Sequence, residues 1–134
     1  MTKKLGTQLP KSCYYENYDV MGFISYFYQI DSVIKTKPKT ILEVGVGNNV
    51  VSNYLDQFGF NIITCDFNEN LSPDCLADIR HLPFRNSRFD VVFSCEVLEH
   101  IPFKDLPKAL SELRRVSKKY VIISIPYSCF FYGL

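Results

Sequence analysis

Thr40-Ile41-Leu42-Glu43-Val44-Gly45-Val46, with Gly47-Asn48-Asn49 behind it, is the stretch on which the reading of the fold turns. It is a short, nearly continuous apolar run bounded by turn residues, the pattern of a strand buried on both faces. An amphipathic helix follows. Val50, Val51, Tyr54, Leu55 and Phe58 share one face, and Gly59 is placed to close it. Ahead of the run, residues 19–36 predict another helix. Val20, Phe23, Ile24, Phe27, Ile30 and Ile34 form its apolar face, with Asp19 as N-cap. Pro38 ends that helix by disfavouring α geometry at Lys37.

Downstream, the alternation continues. Asn61 to Phe67 predicts a second strand, Cys75 to Ile79 a short third one and Phe89 to Ser94 a fourth. Asp105 to Val116 predicts a helix with Leu106, Leu110, Leu113 and Val116 on its core face, and Tyr120 to Ile125 a last strand. Asn68 to Asp74 is too short for a crossover helix, so an irregular link is expected there. Buried strands alternating with amphipathic helices imply an α/β fold, with a parallel sheet covered on both faces. We expect a single domain over residues 1–134: an arm at 1–18, a leading helix at 19–36, a core at 38–127 and an apolar tail at 128–134.

Composition narrows the function. The chain has 134 residues, with Lys+Arg 15 against Asp+Glu 14, a balance that gives no strong signal for nucleic acid or an acidic membrane. The five cysteines are odd in number and form no CxxC pair, so neither a disulfide framework nor a zinc knuckle fits. No metal site is expected. The opening residues lack an apolar signal segment, and Tyr120 to Leu134 is too short and too interrupted to span a bilayer. A soluble, cytoplasmic protein is the expectation.

In a parallel sheet of this kind the ligand sits beyond the carboxyl ends of the strands. Glu43-Val44-Gly45-Val46-Gly47 follows the first strand; its glycines either serve a tight turn or let backbone approach a ligand. Asp66, with Phe67 behind it, ends the second. Its carboxylate matches a ribose diol, or else caps a turn. Asp78 and Ile79 follow the third strand, offering an acceptor for an exocyclic amine and an apolar surface. Ser94, Cys95, Glu96, Glu99 and His100 follow the fourth.

The segments ILEVGVG, CDF, ADIRHLPF and FDVVFSCEVLEHIPF, in that order, resemble the class I S-adenosylmethionine-dependent methyltransferases, above all the group with the ubiquinone/menaquinone C-methyltransferases. The resemblance covers about residues 38–127. It implies a doubly wound Rossmann-like sheet and S-adenosylmethionine as cofactor. It places Glu43, Gly45 and Gly47 against the methionine part, Asp66 and Phe67 at the ribose, Asp78 and Ile79 at the adenine, and Ser94 and Cys95 at the amino acid part. Glu96, Glu99 and His100 fall beside the acceptor. His100 is the candidate general base, or else closes the loop over the cofactor; Glu96 and Glu99 read as rim groups, and His81 and the arginines as solvated surface. Asn49 stands where the family often has a third glycine. A nicotinamide oxidoreductase fits less well, because Val50 replaces the last glycine of its fingerprint.

The family's sheet has seven strands, and this chain ends at Leu134 shortly after its fifth. The expectation is a sheet shortened to about five strands. The tail Tyr127 to Leu134 would then be buried, against the open sheet edge or in a homodimer. The function expected is methyl transfer to a small-molecule acceptor. The alternative is a SAM-binding partner or sensor without turnover.

Overall fold

In the computed structural model, residues 20–126 are described. The arm, the N-cap position Asp19 and the tail 127–134, with its expected interface, lie outside them. Five strands form one parallel sheet: β1 (Ile41–Val44), β2 (Ile62–Asp66), β3 (Cys75–Leu76), β4 (Phe89–Cys95) and β5 (Ser117–Ser124), in the order β3-β2-β1-β4-β5. Among the described residues, three helices cover it: α1 (Val20–Lys35), α2 (Val50–Gln57) and α3 (Leu106–Val116). The link between β2 and β3 holds only one turn of 3-10 helix, Glu69–Leu71. The chain moves outward from β1 in one direction through β2 and β3, and in the other through β4 and β5. The crevice of such a sheet opens at that reversal, above β1 and β4.

Alternation along the central strands builds two cores. Ile41, Val91 and Phe93 pack with Val33 of α1 and Val51 and Leu55 of α2. Leu42, Val44 and Val92 face the other way and pack with Ala109, Leu113 and Val116 of α3. Each large aliphatic side chain buried in this way stabilises the fold by about 1.5–3 kcal/mol. Asp90 ties the two central strands together at their start: its Oδ2 accepts from the Lys39 and Thr40 amides at 2.8 and 3.3 Å.

Several expected faces are corrected. Val20, Phe23, Ile24, Phe27 and Ile34 of α1 are exposed; the helix docks through Tyr26, Ile30 and Val33 instead, a stripe at four- and three-residue steps. Tyr54 and Phe58 are also exposed and stack on each other, with ring centroids 4.6 Å apart. In α3, Leu110 points outward and Ala109 takes its place in the core. β3 covers only the first two of its five expected residues. β5 begins at Ser117, earlier than expected, because α3 runs into it without a loop and its first residues after Ser117, Lys118 and Lys119, are exposed. The helix stop before Pro38 holds: α1 ends at Lys35 and Lys37 takes φ 50°.

Candidate functional site

The loops at the carboxyl ends of β1 to β4 surround a cavity of about 380 Å³. Its floor is the β1 turn. Gly45 and Gly47 have φ 89° and 51°, and Asn49 takes φ 62° where a third glycine would stand. Asparagine tolerates this left-handed region better than most side chains, and its Nδ2 donates to the Leu71 carbonyl at 3.2 Å. Gly45 leaves no room for a side chain: a Cβ there would clash with Val97 Cγ2.

Asp66 clamps this turn to the end of β2. Its Oδ2 accepts from the Val46 amide at 2.9 Å and its Oδ1 from the Asn68 amide at 2.8 Å. The carboxyl is buried, which raises its pKa despite those backbone hydrogen bonds. Glu43 stands deeper in the same wall and is 4% exposed. Burial pushes its pKa up to about 8, the Asp66 charge adds to the rise, and a hydrogen bond with Ser52 opposes it. Its Oε2 has no hydrogen-bond partner among the described residues.

The third wall holds Ala77 and Ile79, and the fourth Cys95, Glu96, Val97, His100 and Ile101. Burial pushes the Cys95 thiol up. Glu96 is held in a left-handed conformation, φ 57°. Its amide donates to the Ser124 carbonyl at 3.0 Å, and its Oε1 accepts from the Ser124 hydroxyl at 2.9 Å. The His100 side chain is 77% exposed and lies 3.9 Å from Glu99.

Of the residues singled out from sequence, Glu43, Gly45, Gly47, Asp66, Phe67, Ile79, Cys95 and His100 come together around the cavity. Asp78 and Ser94 are not among its lining residues. Asp78 turns to Arg80, whose Nη2 donates to its Oδ2 at 2.6 Å. Burial alone would raise the Asp78 carboxyl, but the Arg80 hydrogen bonds outweigh it and hold it below its ordinary range. Ser94 is fully buried, and its hydroxyl has no hydrogen-bond partner among the described residues. Arg80 and Arg115, read as solvated surface, are corrected: both anchor the loop between β3 and β4, Arg115 through the Leu82 and Phe84 carbonyls at 2.9 and 2.6 Å. Tyr26 and Gln29 of α1 also line the cavity and were not singled out. Their sequence signal is only helical; what brings Tyr26 here is tertiary, a hydrogen bond from Asn48 Nδ2 to its hydroxyl at 2.7 Å. Among the described residues, no group of three or more His, Cys, Asp or Glu side chains is placed to hold a metal.

The protein belongs to the family described as Methyltransferase domain, which matches residues 42–125, more than half of the chain. It is 48% identical over 48 residues to the ubiquinone/menaquinone biosynthesis C-methyltransferase of Ralstonia nicotianae, a match covering 36% of this chain and 19% of that one. The fold is similar to that of a crystal structure from Pyrococcus horikoshii, with TM-score 0.67 and 19% identity over 81% of this chain and 58% of the other. It is also similar to a SAM-dependent methyltransferase of Thermotoga maritima, with TM-score 0.57 and 20% identity over 73% of this chain and 50% of that one. The chain thus spans about a fifth of that curated relative and roughly half of these two solved ones.

Proposed function

We propose that this chain binds S-adenosylmethionine in the cavity at the strand ends and forms the cofactor-binding core of a methyltransferase acting on a small-molecule acceptor. The observation that carries this reading is the acidic lining of the cavity, in which the buried Glu43 is neutral near pH 7 and would ionise beside a cation. Glu43, Asp66 and Glu96 line it, and no lysine or arginine does among the described residues. Such a wall favours a cationic occupant and disfavours an anionic one. The fit extends to detail: Glu43 Oε2 is a buried acceptor without a hydrogen-bond partner among the described residues, and Gly45 and Gly47 line the cavity.

When bound, the cofactor supplies a methyl group already activated on a sulfonium. The chain's own residues bind and orient. Glu43 Oε2 is positioned to accept from a cationic donor. The Asp66 carboxylate already accepts from the Val46, Asn68 and Phe67 amides, and with about four acceptor sites it keeps one for a ribose hydroxyl. Phe67, Ile79 and Ala77 present the apolar side of the cavity to a flat ring. Cys95 and the neighbouring backbone wall the amino acid end, above the buried Ser94. His100 would take a proton from an acceptor that carries one.

A second reading, a SAM-binding partner or sensor, draws on the same His100. A base 77% exposed and held, among the described residues, by a 3.9 Å approach to Glu99 is poorly fixed for proton transfer. Calorimetry with S-adenosylmethionine and S-adenosylhomocysteine tests the shared part. Wild type should bind both, and Asp66→Ala should weaken binding by about tenfold or more, the scale of lost hydrogen bonds to a charged group. Asp66→Asn, which keeps one acceptor oxygen, should fall between. Equal affinity in folded wild type and both variants would place the site elsewhere. Methyl transfer to acceptors then separates enzyme from sensor.

A further inference from the structure

β3 has two residues and the link before it has no crossover helix, so the wall formed by Ala77 and Ile79 lacks a covering element of its own. Side chains do that work. Arg80 follows the wall directly. Its amide donates to Asp78 Oδ1 at 2.8 Å, its Nε lies 3.1 and 3.0 Å from the two Asp78 oxygens, and its Nη2 is 2.6 Å from Oδ2. The same guanidinium reaches across: Nη1 donates to Asp105 Oδ2 at 2.7 Å. Asp105 precedes α3, and its amide donates to the Pro102 carbonyl at 2.8 Å, one residue after the His100–Ile101 wall. At the far end of the loop, the Leu82 amide donates to Glu112 Oε2 of α3 at 2.8 Å.

We propose that Arg80 is a positioning residue, a strut that makes the wall after β3 and the wall after β4 move as one and so sets the width of the cavity between them. Only arginine suits the place. Its planar fork satisfies two carboxylates in fixed directions, whereas a lysine ammonium is a point charge that cannot hold both in the same way. The Arg80 side chain is 19% exposed, and Asp78 and Asp105 are 28% and 24% exposed, so the bridge is partly shielded from solvent screening. The effect on ligand affinity rests on the cofactor reading above; the coupling of the walls does not.

The test uses Arg80→Ala, Arg80→Lys, Asp105→Asn and the Arg80→Ala/Asp105→Asn pair, each in the full chain. Asp105→Asn is the informative one, because it weakens the link across while leaving the Asp78–Arg80 fork intact. Amide hydrogen exchange is followed without ligand at His81 and Leu82 on one side and His100 and Ile101 on the other, all of which donate hydrogen bonds. Exchange in Asp105→Asn should quicken on both sides together. Calorimetry with S-adenosylhomocysteine should show affinity falling about threefold to tenfold in Asp105→Asn and about tenfold or more in Arg80→Ala, the scale of charge-assisted hydrogen bonds. Arg80→Lys should resemble Asp105→Asn rather than wild type. The double variant should bind no more weakly than Arg80→Ala. Exchange that quickens on one side only, or not at all, overturns the strut. A wild type that binds no S-adenosylhomocysteine while exchange remains coupled overturns the cofactor reading and leaves the strut standing.

Discussion

Glu43 should make this protein less stable as the solution is made more alkaline. A carboxyl whose folded pKa is raised binds its proton more tightly in the native state than in the unfolded one. Between the two pKa values the unfolded state ionises and the native state does not, so stability falls as pH rises. The window runs from the ordinary value of 4.5 to about 8. Below it both states are protonated and nothing is lost; above it both are ionised and the full cost is present. At about 1.36 kcal/mol per unit, the shift corresponds to roughly 3–6 kcal/mol, a large part of the roughly 5–15 kcal/mol that holds a typical domain together. Glu43→Gln keeps the shape and removes the titration. Urea unfolding of both proteins from pH 5 to pH 9 isolates the effect, because the raised Asp66 carboxyl is present in each and cancels to first order. The variant should match wild type near pH 5 and become progressively more stable than it toward pH 8 and above. Parallel curves across the range would refute the reasoning, for they would mean that Glu43 ionises in the fold as readily as it does in water.

Two further expectations concern the β1 turn. Gly45→Ala should lower stability by about 1–3 kcal/mol in urea unfolding, since it adds a Cβ that clashes with Val97 Cγ2 at a φ of 89°. Val97→Ala in the same chain should recover part of that loss, the remainder being backbone strain, and a Gly45→Ala protein as stable as wild type would contradict the packing described. Asn49→Gly should change the melting temperature little, because glycine accepts φ 62° freely and this offsets the lost bond to Leu71. Asn49→Val should lower it clearly, at about 1–2 kcal/mol for a branched side chain in the left-handed region; equal melting of the two variants would show that the turn relaxes.

What the sequence discloses and what it hides follow a physical line. β1, β2 and β4 are legible because both their faces are buried, so their apolar runs need no partner to be recognised: Ile41 and Leu42 face opposite cores and both are fully covered. Residues that act through their own backbone position are legible too. Gly45, Gly47 and Asp66 lie at strand ends and His100 in the loop that follows β4, and these define the cavity. Helix faces are less legible, because hydrophobicity says that a face exists but not which neighbour is there to meet it. In α1, Phe27 and Ile34 carry the apolar period while Tyr26 and Gln29 reach the cavity. Least legible are groups whose role depends on a residue far along the chain. Asp78 reads as a free acceptor until Arg80 closes on it, and Arg80 reads as solvated until Asp105, 25 positions away, comes within 2.7 Å. The cavity therefore has two kinds of determinant. Short-range pattern places its floor in the β1 turn, and the long-range Arg80–Asp105 ion pair holds its walls. Substitutions in the first should disturb folding and binding together. Conservative changes in the second, such as Asp105→Asn, should disturb binding while the fold persists.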